Sequence, residues 1–323
     1  MSAAPFASVI IPLKRANGYL RECLEHLAKQ TFRDFDVFVV TDEPEHVAFE
    51  GLRLRCMSSG PVPPNVKRMM AARASDAQIV AFIDDDAYPK PEWLWEATGH
   101  FEAAGVVGVG GPGVTPPGDD AVRQASGAVY ASPLVSGAYT YRYLPARLRD
   151  VDDLPSCNLM VRREPFLEFV PQCIRYWPGE DTKLCMLLTA KGARIVYSPA
   201  VAVFHHRRRL FREHMKQVWN YAMHRGFFVK RYPETSRRPA YFVPTAFVLA
   251  NAALGAAALA RSPARKPLAL LAGVYCLAVG FEALRSTRAH RANPAMVAAG
   301  IYATHITYGI GFLCGLLRPE LDH

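Results

Sequence analysis

The sequence predicts an α/β domain with a mostly parallel sheet flanked by helices, followed by an all-α membrane-spanning segment of about three helices. Three observations carry this. Short apolar runs alternate with helical spacing through the first hundred residues, a basic run interleaved with large apolar side chains occupies 205–239, and long stretches almost free of charge fill 240–323. With 323 residues, 50% hydrophobic and 21% charged, the chain can bury a sizeable core, and neither a disordered chain nor a low-complexity one fits that composition.

In chain order, Ala7 to Pro12 is a short, mostly apolar run, a helical pattern follows around Leu20, Cys23, Leu24 and Leu27, and Phe35 to Val40 is apolar again. Strand, helix and strand in that order predict parallel pairing. A strand near Leu52 to Cys56, a helix from about Asn65 to Ala74 and a strand from Gln78 to Ile83 continue the pattern. Ligands of open parallel sheets sit beyond the carboxyl ends of the strands, and Asp84, Asp85 and Asp86 stand at such an end. Adjacent carboxylates repel unless something positive is bound. In an extended turn, Asp84 and Asp86 point to one side, where both can reach a hard divalent cation, Mg2+ or Mn2+. A solvated acidic turn before a helix is the other reading of these three residues alone.

The net charge of +9 is concentrated. Between His205 and Arg238 there are ten Lys and Arg against two acids, with Leu210, Phe211, Met215, Trp219, Met223, Phe227 and Phe228 among them. This reads as an interfacial segment on an anionic inner leaflet rather than a nucleic-acid patch, because it runs directly into an apolar span. The stretches 240–260, 267–284 and 294–317 are the expected spans, the first and last each long enough to cross a hydrocarbon core of about 30 Å. The N-terminus lacks a charged leader and the seven cysteines form no C-x-x-C pair, so the expected place of residues 1–204 is the cytoplasm.

The segments SVIIPLKRANGYLRECLEHL, FDVFVVTDEP, QIVAFIDDDAYPKPEWL, GVGGPGVTP, PSCNLMVRRE and PGEDTKLCMLLTAKGARIVYSPAVAVFHHRR follow one another in an order that resembles the family 2 glycosyltransferases, which have the Rossmann-like GT-A fold. The resemblance spans about residues 5–230. It implies a nucleotide-sugar site at Pro12, at Asp42 (the base), and at Lys67 and Arg68 near the diphosphate. The triplet matches the family's D-x-D motif, with Asp84 and Asp85 on the donor and Asp84 and Asp86 on the metal. Glu180 and Asp181 match the acidic pair that opens a helix. Asp181 is expected to be the base that takes the acceptor hydroxyl proton, and one carboxylate suffices for that. His205, chosen over His206, is expected to complete the metal site, and Arg207 to neutralise the leaving diphosphate. Gly110 to Gly113 supply the freedom that a close backbone approach to donor or acceptor needs.

The chain departs from the processive members of the family, since Gln217 to Tyr221 stands where a Q-x-x-R-W string would be. The expectation is therefore single addition: a membrane-anchored, Mn2+- or Mg2+-dependent inverting transferase that moves one sugar from a UDP or GDP donor to a lipid-linked or glycan acceptor. A polyprenyl-phosphate sugar synthase, whose acceptor is already an anion, and a non-catalytic membrane adaptor that keeps the fold are the alternatives.

Overall fold

The structure is a computed structural model that describes residues 4–286 and 292–321 in full and the backbone of 287–290. The chain forms two compact units, each discontinuous in sequence. The first runs to Val114 and resumes over Tyr141–His206; the second takes Thr115–Thr140 and everything from Arg207 onward.

The first unit holds strands β1 (Ala7–Pro12), β2 (Phe35–Thr41), β3 (Leu54–Ser58), β4 (Ile79–Ile83), β5 (Ala87–Pro89), β6 (Val106–Gly110), β7 (Gly113–Val114), β8 (Arg149–Val151), β9 (Asn158–Arg162), β10 (Arg194–Tyr197) and β11 (Val203–His205). Its helices are α1 (Gly18–Leu27), α2 (Pro64–Ala74), α3 (Trp93–His100), α6 (Arg163–Phe169) and α7 (Glu180–Ala190). An eight-stranded sheet has the order β3-β2-β1-β4-β9-β6-β10-β8, and a three-stranded sheet the order β5-β11-β7. β1, β2 and β4 are buried along their whole length, which is why they read as continuous apolar runs rather than as an alternation. The parallel part, β3-β2-β1-β4, is the part that the apolar periodicity predicts. β9 then enters antiparallel between β4 and β6, and β8 pairs antiparallel with β10. From β1 the chain goes to β2 on one side, while β4 lies on the other, so a crevice opens at the carboxyl ends of β1, β2 and β4.

Local chemistry fixes the helices that flank this crevice. Asn17 caps α1 by accepting from Leu20 N at 2.9 Å, and α2 opens on Pro64, whose missing N–H costs nothing in the first turn.

The glycines of GGPG have a structural use. A Cβ on Gly110 would strike the carbonyl oxygen of Asn158, and one on Gly111 those of Val201 and Ser198. They let β6 and the turn after it lie against neighbouring backbone, so the approach expected toward a donor is made toward the protein itself. Gly111→Ala is therefore expected to cost about 1–3 kcal/mol or more of stability through overpacking against groups that cannot swing aside. Thermal unfolding of the detergent-purified variant checks this, and an unchanged midpoint would refute it.

The second unit holds α4 (Ala121–Ala131), α5 (Pro133–Ser136), α8 (Arg212–Arg231), α9 (Pro233–Ser236), α10 (Pro239–Leu259), α11 (Arg265–His290) and α12 (Pro294–Leu317). Three of these, Pro239–Leu259, Arg265–Ser286 and Pro294–Leu317, are long and apolar enough to cross a membrane, with mean hydropathies of 1.8, 1.8 and 1.3. α10 buries none of its residues, whereas α12 packs on α8. Gly226 of α8 and Gly311 and Gly315 of α12 make that pair close, since a Cβ on Gly226 would meet the Phe312 carbonyl and one on Gly315 the Met223 carbonyl. Val218, Met223, Phe227 and Phe228 are consequently buried. The apolar face expected to rest on a leaflet is largely spent on α12, and Phe211 and Trp219 remain exposed. A buried polar chain ties the same helices to α4. Ser126 Oγ and His214 Nδ1 are 2.7 Å apart, and His214 Nε2 and Thr304 Oγ1 are 3.1 Å apart.

Candidate active site

Pro12 ends β1 and is buried. Asp42 follows β2, its backbone held from two directions: its N–H donates to the Lys14 carbonyl and its carbonyl accepts from Gly60 N, each at 2.9 Å. From the buried face of α2, Lys67 sends its ammonium to Asp42 Oδ1 and to the Leu13 carbonyl. Its side chain is 3% exposed, so it is a buried ion-pair partner and not a solvated helix face.

The Asp triplet splits three ways. Asp85 Oδ2 accepts from Asn17 Nδ2 at 2.6 Å, which ties the triplet to the cap of α1. Asp84 Oδ1 accepts from Arg68 Nη2 at 2.7 Å. Asp86 is buried, with Oδ1 3.2 Å from His205 Nε2. Asp84, Asp86 and His205 each bring a ligand atom within 4.8 Å of the others. Two carboxylates and an imidazole at this spacing fit a divalent cation, with the hard oxygens favouring Mn2+ or Mg2+. The electrostatics agree: burial works against an imidazolium, yet Cys157 and Asp86 beside the ring push His205 up to about 10. The site thus collects positive charge, which a bound cation would supply in place of the proton.

His206 is turned elsewhere. Its Nε2 lies 2.9 Å from Glu22 Oε2, its ring centroid 4.9 Å from that of Tyr19, and its N–H donates to the Asp86 carbonyl at 2.9 Å.

Arg68, expected near a diphosphate, is engaged by protein carboxylates: besides Asp84 it meets Glu180 Oε1 at 3.3 Å. Glu180 opens α7 after Gly179, which sits at φ 117°, in the left-handed region that favours glycine. Burial first, and then Asp181, push the Glu180 carboxyl up to about 8 against the pull of Arg68. The contact with Arg68, at 3.3 Å, is long for a charge-assisted pair. Asp181 is only half-buried. It accepts from Thr182 N at 2.7 Å and from Ser156 N at 3.3 Å. Arg68, Glu180, Asp181, Ser156 and Phe82 line one cavity.

The structure therefore brings together Lys67 with Asp42, Arg68 with Asp84 and Glu180, and Asp86 with His205. Arg207, expected to neutralise the leaving diphosphate, belongs to the second unit, where it is buried and its Nε donates to Thr115 Oγ1 at 3.2 Å.

Sequence reading missed Asn17, the Glu22–His206 pair and Asp153. The last accepts from Thr182 Oγ1 at 3.1 Å, which braces the first turn of α7, and forms an ion pair with Arg142 at 2.9 Å. Asn17 had a legible signal, the cap preference before a helix. The other contacts close over long sequence separations and leave no periodic trace.

A family model described as "Glycosyl transferase family 2" matches residues 8–169. No curated protein matches the sequence. Among solved structures, the chain is similar to the mannosyltransferase PcManGT from Pyrobaculum calidifontis in complex with GDP-Man and Mn2+. The identity is 19%, over 97% of this chain and 88% of that one, with a TM-score of 0.62. It is also similar to GalNAc-T7 with UDP, GalNAc and Mn2+, at 13% identity over 74% of this chain and 52% of that one, with a TM-score of 0.50. At these identities the likeness is one of fold, the GT-A fold.

Proposed function

The chain belongs to glycosyl transferase family 2, and from that premise we propose that it is a membrane-anchored, metal-dependent, inverting transferase. In this reading it moves a single sugar from a UDP- or GDP-linked donor to a lipid-linked or glycan acceptor at the cytoplasmic face of a membrane. The observation that carries the proposal is the convergence of Asp84, Asp86 and His205 within 4.8 Å at the carboxyl end of the sheet. That PcManGT and GalNAc-T7 were each solved with a nucleotide or nucleotide sugar and Mn2+ supports it. The three apolar helices support a membrane location, where lipid-linked acceptors are found.

A divalent cation held by Asp84, Asp86 and His205 would supply charge neutralisation for the leaving diphosphate. The protein's own groups do the rest. Arg68 fixes Asp84 in place through its 2.7 Å contact. Asp42 offers a carboxylate to the donor base at the end of β2. Glu180 stays a neutral neighbour, so the pair at the start of α7 carries one charge, on Asp181. That carboxylate takes the acceptor proton as the hydroxyl oxygen attacks the anomeric carbon from the face opposite the diphosphate. A neighbour whose surroundings hold it neutral leaves one carboxylate of the pair to act as base near neutral pH.

Calorimetric binding of UDP and GDP to detergent-purified protein, with and without Mn2+, tests the reading. Mn2+-dependent binding of a nucleotide is expected, weakened at least about tenfold by Asp86→Ala, since loss of a ligand costs no less than loss of its supporting contacts. No Mn2+-dependent binding of any nucleotide would sink the proposal and leave a binding adaptor on the same fold.

A further inference from the structure

The carboxylate expected to read the donor base is half occupied. Asp42 Oδ1 is taken by the Lys67 ammonium, which the Leu13 carbonyl holds from a second side. Lys67 is buried on α2 and cannot swing into solvent, whereas Asp42 is 23% exposed. Oδ2 has no hydrogen-bond partner among the described residues, and the backbone bonds to Lys14 and Gly60 fix the direction in which the carboxylate faces. One open acceptor oxygen with a cation at its side is therefore what the end of β2 presents.

Nucleobases answer that arrangement differently. Guanine carries two N–H donors side by side, N1–H and N2–H2, and satisfies them on a carboxylate by using both oxygens at once. With Oδ1 already accepting from Lys67, one of those donors must share that oxygen with a buried ammonium, which weakens and crowds the bond it makes. The imide edge of uracil or thymine carries a single N–H between two carbonyl oxygens. One open oxygen satisfies the N–H, and a cation nearby favours the carbonyl that flanks it. Cytosine lacks a ring N–H on this edge.

We infer that Lys67, by capping one oxygen of Asp42, makes the site selective for a nucleoside diphosphate whose base is a pyrimidine imide, uracil or thymine, over guanine. The inference rests on the proposed function, and deepens it by choosing the donor class. Lys67 acts as a specificity-determining residue through Asp42.

The test is calorimetry on the full-length, detergent-purified chain with Mn2+, using UDP, dTDP, GDP and CDP. The better of UDP and dTDP is expected to bind more tightly than GDP by on the order of tenfold, the effect of one weakened hydrogen bond at a buried oxygen shared with a cation. The order of UDP and dTDP then tells which imide is used, since the two differ in the C5 methyl and the 2′-hydroxyl. Lys67→Met vacates Oδ1 and is expected to narrow the ratio at least about threefold, a change in ratio that general loosening of the site would not give. Lys67→Arg keeps the cation and should keep the preference. GDP or CDP binding as tightly as the better imide nucleotide overturns the inference and leaves the proposed function standing. Binding of no nucleotide overturns both. A ratio unchanged in a Lys67→Met protein that melts like the wild type removes the role of Lys67; if that variant does not fold, the wild-type ratio alone decides.

Discussion

Asp181→Asn is expected to lower the rate of sugar transfer by roughly 10²–10⁴-fold while Mn2+-dependent nucleotide binding stays as in the wild type. The amide keeps the size and shape of the carboxylate, and its oxygen can still accept from Thr182 N, the closer of the two backbone donors at 2.7 Å. What it loses is the capacity to take a proton. No binding contact to the donor is assigned to Asp181, whose partners are Ser156 and Thr182 beside the cavity lined by Arg68 and Glu180. The loss should therefore fall on kcat. Single-turnover transfer, beside nucleotide calorimetry on the same sample, separates the two quantities. A rate within about tenfold of wild type would remove Asp181 as the base and point to an acceptor already ionised, such as a polyprenyl phosphate. Loss of nucleotide binding would instead mean that Asp181 holds the donor side together.

What was legible in the sequence follows from how far each interaction reaches along the chain. β1, β2 and β4 are visible because buried parallel strands must be apolar on both faces, and the chain repeats strand and helix within short distances. The triplet at 84–86 is visible because three adjacent carboxylates need an explanation wherever they stand. The partners of those carboxylates are not. Asn17 meets Asp85 across 68 positions, and Arg68 meets Glu180 across 112. Arg68 and Lys67 each look like half of an ordinary basic pair in sequence, and only folding shows that both are buried and that they serve different acids. Residues 115–140 illustrate the same limit. They lie in the middle of the stretch that resembles the catalytic domain, yet α4 packs with α12 in the second unit, where Gly300 admits Val129 and Leu210. The apolar face of α8 was legible as a face, but its partner was not, because lipid and a glycine-lined helix demand the same side chains.

The pH dependence of Glu180→Gln is the sharpest test of how the acidic pair is built. Burial, with Asp181 adding to it, raises the Glu180 carboxyl from its ordinary 4.5 to about 8. Between those values the folded chain binds a proton that the unfolded chain has released, so this group's contribution to stability is fully present below about 4.5 and is lost as pH rises through 8. Each unit of such a shift is about 1.4 kcal/mol, which makes the whole effect several kcal/mol at its upper bound, reduced by whatever water reaches the deprotonated carboxylate. Glutamine keeps the neutral shape and cannot ionise. Glu180→Gln should therefore melt close to wild type near pH 5 and increasingly above it toward pH 8.5, with sugar transfer largely retained. Asp181→Asn removes the second-largest of the raising causes and should shift the same transition to lower pH. Thermal unfolding of the three proteins across that range decides the matter. A difference between wild type and Glu180→Gln that does not grow with pH would mean that Glu180 is ionised beside Arg68 in the folded chain, and the division of labour that leaves Asp181 as the single charged member of the pair would fall with it.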